Sequence, residues 1–309
     1  MVREGEAVRK VIDKSTVIRE SHSDKVFSVI CYAIVILLVI IVLIPLLYVI
    51  ACSFSSGLAV SNGRVGLWPV DFSVEGYRRV FKYRGIWISY RNTIIYTTCN
   101  TFLHLVIVLL AAFPLSKQGL PHKRAIVVFF TITMLFSGGI IPTYLLISDL
   151  GMLNTMWAII IPGAFSFYNM SVCRTFISNN IPMELWDAAE VDGCGPGRFF
   201  LAIVLPLSKA VIAVISMQVA IGVWNSYMNS MLYLSNSSLY PLQIVLRNIL
   251  IMSQMTLEIE DADAVSSIQG LADQLKYALI IVSTLPIMCV YPFVQKYFTK
   301  GLMIGSVKG

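Results

Sequence analysis

The stretch Glu184–Pro206, ELWDAAEVDGCGPGRFFLAIVLP, lies between two long apolar segments. Its first nine residues contain four carboxylates: Glu184, Asp187, Glu190 and Asp192. Placing four carboxylates in hydrocarbon costs about 10 kcal/mol, even at the low value of about 2.5 kcal/mol each. We therefore expect this stretch to lie outside a bilayer that its neighbours are apolar enough to cross.

The local structure of this stretch follows from its helix formers and its helix breakers. Good helix formers occupy 184–191, and the glycines and the proline of 193–197 interrupt the helix. An apolar run over 199–205 then leads into the next apolar segment. We predict a short helix, a bend, and a second short helix that enters the membrane. Two interpretations fit this shape: an amphipathic loop on the membrane surface, or a docking element for a protein partner.

The composition indicates a membrane protein. The chain has 309 residues, of which 57% are hydrophobic and only 13% are charged, whereas soluble domains carry about 25% charged residues. The net charge of +6 comes from basic residues scattered between apolar segments, which favours a lipid bilayer over nucleic acid as the partner. The six cysteines show no paired spacing, so neither a disulfide framework nor a metal site is indicated.

Six apolar segments are long enough to cross a bilayer. We predict spans at about 26–51, 92–115, 125–147, 156–177, 203–224 and 276–293. Basic residues near the span ends place both termini in the cytoplasm. The loop after the first span conflicts with this rule, because it contains Arg64, Arg78, Arg79, Lys82, Arg84 and Arg91. We give the first span more weight, since it usually sets the orientation.

The predicted fold is therefore an all-α polytopic membrane protein with six transmembrane helices and cytoplasmic N- and C-termini. A cytoplasmic segment covers 1–25, the transmembrane domain covers 26–298, and a cytoplasmic tail covers 299–309. The first half of the second span carries polar residues, including Asn100 and His104. These residues either bond to other helices or line a water-filled path.

Catalytic motifs are absent from the sequence. It has no phosphate-binding G-x-x-x-x-G-K-[ST] loop and no G-x-S-x-G nucleophile elbow. Its three histidines, His22, His104 and His122, are far apart. We therefore predict a transport protein rather than an enzyme, with no cofactor of its own.

The acidic stretch resembles the "EAA" loop of ABC importer permeases, which reads E-A-A, three residues, G, nine residues, I-x-L-P. The chain matches every position except the first, where Asp187 replaces Glu. In that family the loop is the coupling helix, which inserts into a cleft on a cytoplasmic ATPase. The resemblance implies a coupling loop over 184–206. The residues expected to carry this role are Glu184, Asp187, Ala188, Ala189, Glu190, Asp192, Gly193, Ile203, Leu205 and Pro206.

From about residue 15 to its end, the chain resembles the smaller permease of carbohydrate-uptake ABC importers, the MalG type, and within it the LplC/YtcP branch. The points of likeness are Leu67–Pro69, Glu75–Tyr77, Asn92–Thr93, Ala112–Ser116, Leu150–Thr155 and the tail from Gln295. The resemblance implies the type I importer fold in a bacterial cell membrane. The implied partners are a second permease subunit in a heterodimer, two ATPase subunits, and a lipid-anchored or periplasmic sugar-binding protein. It also implies a tail contact to the ATPase, for which the candidates are Lys300, Gly301 and Lys308.

Sugars bind to amide groups and aromatic faces, which suggests a substrate path lined by Asn100, Ser216, Gln218, Trp224 and Asn225. Two other functions compete with sugar import. A related ABC permease would carry peptides or amino acids, and an ion-coupled transporter would be a different class. The second is disfavoured because the predicted spans contain no acidic residue.

Overall fold

The apolar segments form helices in the computed structural model, which describes residues 21–117, 119–136, 138–255, 272–292 and 295. No β-strand occurs among these residues. In chain order the helices are α1 (His22–Ser53), α2 (Gly57–Ser61), α3 (Glu75–Lys82), α4 (Arg84–Ser116), α5 (Lys123–Leu135), α6 (Ile140–Asp149), α7 (Trp157–Ile160), α8 (Phe167–Asn180), α9 (Met183–Val191), α10 (Pro196–Leu207), α11 (Lys209–Asn225), α12 (Met228–Tyr233), α13 (Leu242–Met255) and α14 (Ala272–Pro292).

Three of these helices, α1, α4 and α14, are each long and apolar enough to cross a membrane. Two further pairs of consecutive helices are long and apolar enough to cross a membrane only when each pair is counted as one span. Helices α5 and α6 meet at 109° and α10 and α11 at 77°. The described residues thus contain three to five candidate spans, which confirms an all-helical membrane protein.

The fourth predicted span, 156–177, is not one helix. It consists of α7 and α8, separated by Ile161–Ser166. Pro162 has no amide hydrogen and its ring clashes with the preceding turn, and Gly163 disfavours helix, so α7 ends. Helix α8 begins after Ser166, whose Oγ accepts a hydrogen bond from the Asn169 amide at 3.4 Å.

The fifth predicted span, 203–224, also differs from the structure. Residues 203–207 belong to α10, and the 77° bend falls at Ser208. The backbone of α10 widens into a π-helix over Phe200–Val204, just before Pro206. Proline cannot donate to the preceding turn, and a π-bulge with a proline is a recognised cause of a sharp bend. The third predicted span, 125–147, is also interrupted, between α5 and α6, where Gly139 has φ +88°.

Helix α4 is the central element of the fold. Near its C-terminal end, Val108 and Ala112 pack with Met170 of α8 and Ile215 of α11. Near its N-terminal end, Ile86 packs with side chains from four other elements: Val80, Trp224, Leu242, Ala278 and Leu279. The two ends of α4 therefore organise two separate parts of the core.

Among the described residues, helix α1 contacts the other elements only at its C-terminal end. Ala51, Cys52 and Ser53 are buried, whereas the apolar side chains from Val26 to Leu47 are exposed. Tyr77 Oη donates a hydrogen bond to Ser53 Oγ at 2.8 Å, which ties α3 to α1, and burial raises the pKa of Tyr77. So large an apolar surface requires lipid or another protein to cover it.

Candidate coupling surface

Trp186 attaches α9 to the rest of the fold. Its ring packs edge-to-face on Phe199 of α10 at 4.5 Å between centroids and lies 5.7 Å from the Phe113 ring of α4. The ammonium of Lys117 sits 3.4 Å from the Trp186 ring centroid, a favourable cation–π geometry. Trp186 Nε1 also donates a hydrogen bond to Glu190 Oε2 at 3.1 Å. Trp186 is thus buried against its own chain.

A Schellman turn ends α9. The amide of Cys194 donates to the Ala189 carbonyl at 2.8 Å, and the amide of Gly193 donates to the Glu190 carbonyl at 3.0 Å. Gly193 has φ +73°, the left-handed conformation that this motif requires and that glycine adopts without a Cβ penalty. Helix α10 then begins with Pro196 at its first position, where proline is well tolerated. The predicted helix and bend are present, with the second helix starting at Pro196 rather than Phe199.

The outer face of α9 combines charge with exposed apolar surface. Glu184, Asp187, Glu190 and Asp192 are all exposed, and in the described part of the chain none of them forms an ion pair. Val191 is 88% exposed. The exposed carboxylates lie beside the exposed Val191 and beside Ala188, whose short side chain lets another surface approach closely. Such a surface is suited to a protein partner.

The residues of the EAA pattern divide into two groups. Asp187, Ala188 and Gly193 are exposed. Ala189, Ile203 and Leu205 are half-buried against the core cluster that contains Phe199 and Val204. Pro206 is exposed beside the bend at Ser208. The predicted tail contacts, Lys300, Gly301 and Lys308, lie outside the described residues.

Polar side chains of α4 bond to the break between α7 and α8. Asn100 Nδ2 donates to the Ile160 carbonyl at 2.6 Å. His104 Nδ1 lies 3.0 Å from the Gly163 carbonyl and Nε2 lies 2.9 Å from Asn169 Nδ2. A carbonyl can only accept, so Nδ1 carries the hydrogen and Nε2 accepts from Asn169. These contacts satisfy backbone carbonyls that the break in the helix leaves free.

These bonds support the first interpretation of the polar residues on the second span, contacts between helices. The second interpretation stays open at a set of buried oxygens that have no hydrogen-bond partner in the described ranges: Thr97 Oγ1, Asn100 Oδ1, Thr101 Oγ1 and Asn169 Oδ1. Asn169 and Gly163 were missed by sequence reasoning, although Pro162-Gly163 was a visible signal of a break.

The five predicted substrate-path residues have different environments. Trp224 is buried and its Nε1 donates to the Ser283 carbonyl of α14 at 3.1 Å, which joins α11 to α14. Asn100 is likewise buried. Ser216 is half-buried and bonds to its own helix at Ile212. Gln218 and Asn225 are exposed on α11, and Asn225 Nδ2 donates to the Ile221 carbonyl at 3.0 Å.

Comparison with known proteins reveals extensive similarity. The chain is 38% identical over 271 residues to the protein LplC of Bacillus subtilis (strain 168), covering 87% of this chain and 90% of LplC. It is 37% identical over 290 residues to the polygalacturonan/rhamnogalacturonan transport system permease protein YtcP of the same organism, covering 93% of this chain and 99% of YtcP. No protein-family model matches the chain.

A solved structure has the same fold. It is the crystal structure of a bacterial ABC transporter involved in the import of the acidic polysaccharide alginate. One of its chains matches with a TM-score of 0.81 and 31% identity, covering 90% of this chain and 99% of that chain.

Proposed function

The chain belongs to the permease subunits of carbohydrate ABC importers, and we propose on this basis that α9 and α10 transmit the movement of an ATPase to the membrane helices. As a permease, the chain is a multi-pass membrane protein of a bacterial importer and a transport component rather than an enzyme. The observation that carries the proposal is the exposed acidic and apolar face of α9. On the opposite face of this helix, Trp186 packs against Phe199 and fixes the position of α9.

Residues 183–207, here called the coupling arm, have separate surfaces for contact and for transmission. The contact surface comprises the exposed residues Glu184, Asp187, Ala188, Val191, Asp192 and Gly193. Trp186, Ala189, Ile203 and Leu205 transmit the movement, because they pack against the core. Trp186 touches Phe113 of α4 and Phe199 of α10, so a push on α9 reaches both helices.

The position of the coupling arm supports the proposed topology. Helix α9 packs at the C-terminal end of α4, beside Phe113 and Lys117, whereas α3 packs at its N-terminal end, beside Ile86. A membrane crossed by α4 separates the two. We place the coupling arm and both termini in the cytoplasm, with six passages through the membrane, one of them the broken α7–α8 segment. Lys300, Gly301 and Lys308 of the tail are proposed as a second contact to the ATPase.

The proposed assembly contains a second permease, two ATPase subunits and an extracellular binding protein. The exposed apolar surface of α1 supports a second permease, since the described residues bury only the C-terminal end of that helix. The proposed substrate is a sugar or oligosaccharide, supported by the similarity to YtcP and to the alginate importer. On α11, Gln218 and Asn225 are exposed two turns apart. Together with Asn100, Ser216 and Trp224 they are the proposed path residues.

Binding of the ATPase subunits to the purified permease tests the contact surface. Asp187→Lys combined with Val191→Asp reverses one charge and adds another on that surface. We expect this variant to insert in the membrane but to lose the ATPase during purification. Leu58→Asp on α2, a similar change to an exposed apolar residue at the other end of α4, serves as the control and should retain it. Undiminished ATPase binding by the double variant would contradict the proposal.

A further inference from the structure

A groove of about 740 Å³ lies at the end of α4 opposite the coupling arm. It is enclosed by α3, the first turns of α4, the turn at 237–240, α13 and α14. Its wall is mainly apolar, and the apolar residues are Val80, Ile86, Ile88, Val245, Ile249 and Leu275. Arg79 and Tyr83 also line it and are exposed. An apolar groove of this size beside a cation matches the chemistry of an amphiphile with a negative head.

The surface beside the groove carries excess positive charge. Arg78 and Arg79 share a single carboxylate, Glu75, at 3.4 and 3.1 Å. Those ion pairs are exposed and therefore weak, so an anion can compete for the arginines. Three more exposed basic residues follow, and in the described ranges they form no ion pair: Lys82, Arg84 and Arg91. The seventeen residues of 75–91 thus contain five basic residues and one acidic residue.

The length of α4 places this surface at the level of lipid headgroups. Residues 92–116 contain no Asp, Glu, Lys or Arg and extend about 38 Å at 1.5 Å per residue. That length exceeds the hydrocarbon thickness of about 30 Å. The first two turns of α4 therefore lie in the interfacial layer.

Aromatic residues beside the groove support the same position. Phe81, Tyr83 and Trp87 are each at least half exposed. Trp87 Nε1 donates to the Phe81 carbonyl at 2.9 Å, so its ring is fixed beside α3. Exposed aromatic residues interspersed with arginine and lysine are typical of a membrane interface.

We propose that this groove binds an anionic phospholipid such as phosphatidylglycerol. An acyl chain lies along the apolar wall, and the phosphate bonds to Arg79 and Lys82. This site explains why basic residues accumulate in a loop where the charge rule disfavours them. Polar residues also line the groove, namely Ser89, Ser237, Ser238, Tyr240 and Asn248, but most of its wall is apolar, and this favours a lipid over an acidic oligosaccharide. The inference does not depend on the coupling arm.

Native mass spectrometry of the intact importer tests the proposal. The complex is released from nanodiscs that contain equal amounts of phosphatidylglycerol and phosphatidylcholine. The wild type should retain phosphatidylglycerol preferentially, and Arg79→Gln combined with Lys82→Gln should reduce that retention about tenfold. Arg64→Gln is the control, because Arg64 is exposed in the same loop and pairs with Asp71 at 3.2 Å, but lies outside α3, the helix that carries Arg79 and Lys82 and borders the groove.

A second measurement does not require a substitution. A photoreactive phosphatidylglycerol whose acyl chain carries the reactive group should label the wild-type chain at 242–249. Equal retention of both lipids, full retention by the double variant, or labelling elsewhere in the chain would each overturn the proposal. Labelling that is blocked by an acidic oligosaccharide, or by a protein segment bound in the groove, would also overturn the proposal.

Discussion

Gly193 is the residue of the coupling arm whose backbone is most constrained. Its φ of +73° closes the Schellman turn, and a Cβ there would meet no atom of the chain within 4 Å. Gly195 lies two residues later with equal space but with φ −66°. The two glycines thus differ in the conformation they impose and not in the room around them.

We predict that Gly193→Val inserts normally but loses most of the ATP hydrolysis that a loaded binding protein stimulates. A β-branched residue at positive φ is strained by at least about 1 kcal/mol, so the turn opens and α9 changes its orientation. Gly195→Val is the matched control and should retain stimulation. The measurement is the ATPase rate in proteoliposomes, and equal rates in the two variants would show that the turn is not needed for coupling.

The environment of Trp186 could not be predicted from the sequence. The sequence places an apolar side chain on a short acidic helix, which is equally consistent with contact to a partner or to its own chain. Its neighbours Phe113 and Lys117 are about seventy residues away in the sequence, and no local pattern connects them. By contrast, the exposure of Asp187 and Glu190 follows directly from the cost of burying charge.

At the scale of elements, the two halves of the broken α7–α8 segment depend on the polar side chains of α4. His104 bonds to the Gly163 carbonyl on one side and to Asn169 on the other. No other buried histidine is found in the described ranges. This histidine therefore joins three parts of the chain: α4, the break and α8.

We predict that His104→Phe destabilises the protein by about 1 kcal/mol, because it leaves the Gly163 carbonyl and the Asn169 amide without their partner. His104→Gln should recover part of the loss, since an amide also donates and accepts. Thr98→Val, a change to an exposed polar residue of α4, should have little effect. The unfolding midpoint in detergent measures these differences, and a His104→Phe midpoint equal to that of the wild type would remove the structural role assigned to this bond.

Most helix positions could be predicted from the sequence, whereas helix continuity could not. Helix α9 at Met183–Val191 agrees closely with the helix expected over 184–191, because local propensity and turn residues decide it. The fourth and fifth predicted spans are each interrupted, at Ile161–Ser166 and at Ser208. A hydropathy average over a whole span does not detect such breaks. The presence of proline does not predict a break either, because Pro45 lies inside the unbroken α1.

At the scale of the whole molecule, composition was sufficient to identify a membrane protein, and the spacing of the EAA pattern was sufficient to identify the family. Both conclusions are confirmed by the similarity to LplC, YtcP and the alginate importer. The substrate path was less predictable. Trp224 and Asn100 were assigned to it for their chemistry, and both are buried by packing between distant segments; their place in the path stays a prediction.

The two proposed functional surfaces lie at opposite ends of α4. The coupling arm packs beside Phe113 at one end, and the proposed lipid groove lies beside Ile86 at the other. The unbroken helix α4 connects them.

Photo-crosslinking from position 191 tests the central claim most directly. A benzophenone amino acid replaces Val191, the side chain that is 88% exposed on α9, and a second variant carries the same group in place of Leu58 on α2. Irradiation of the assembled importer should link position 191 to an ATPase subunit, with a yield that changes when ATP binds, and should not link position 58 to it. A crosslink from position 191 to lipid or to the extracellular binding protein, with none to the ATPase, would contradict the account.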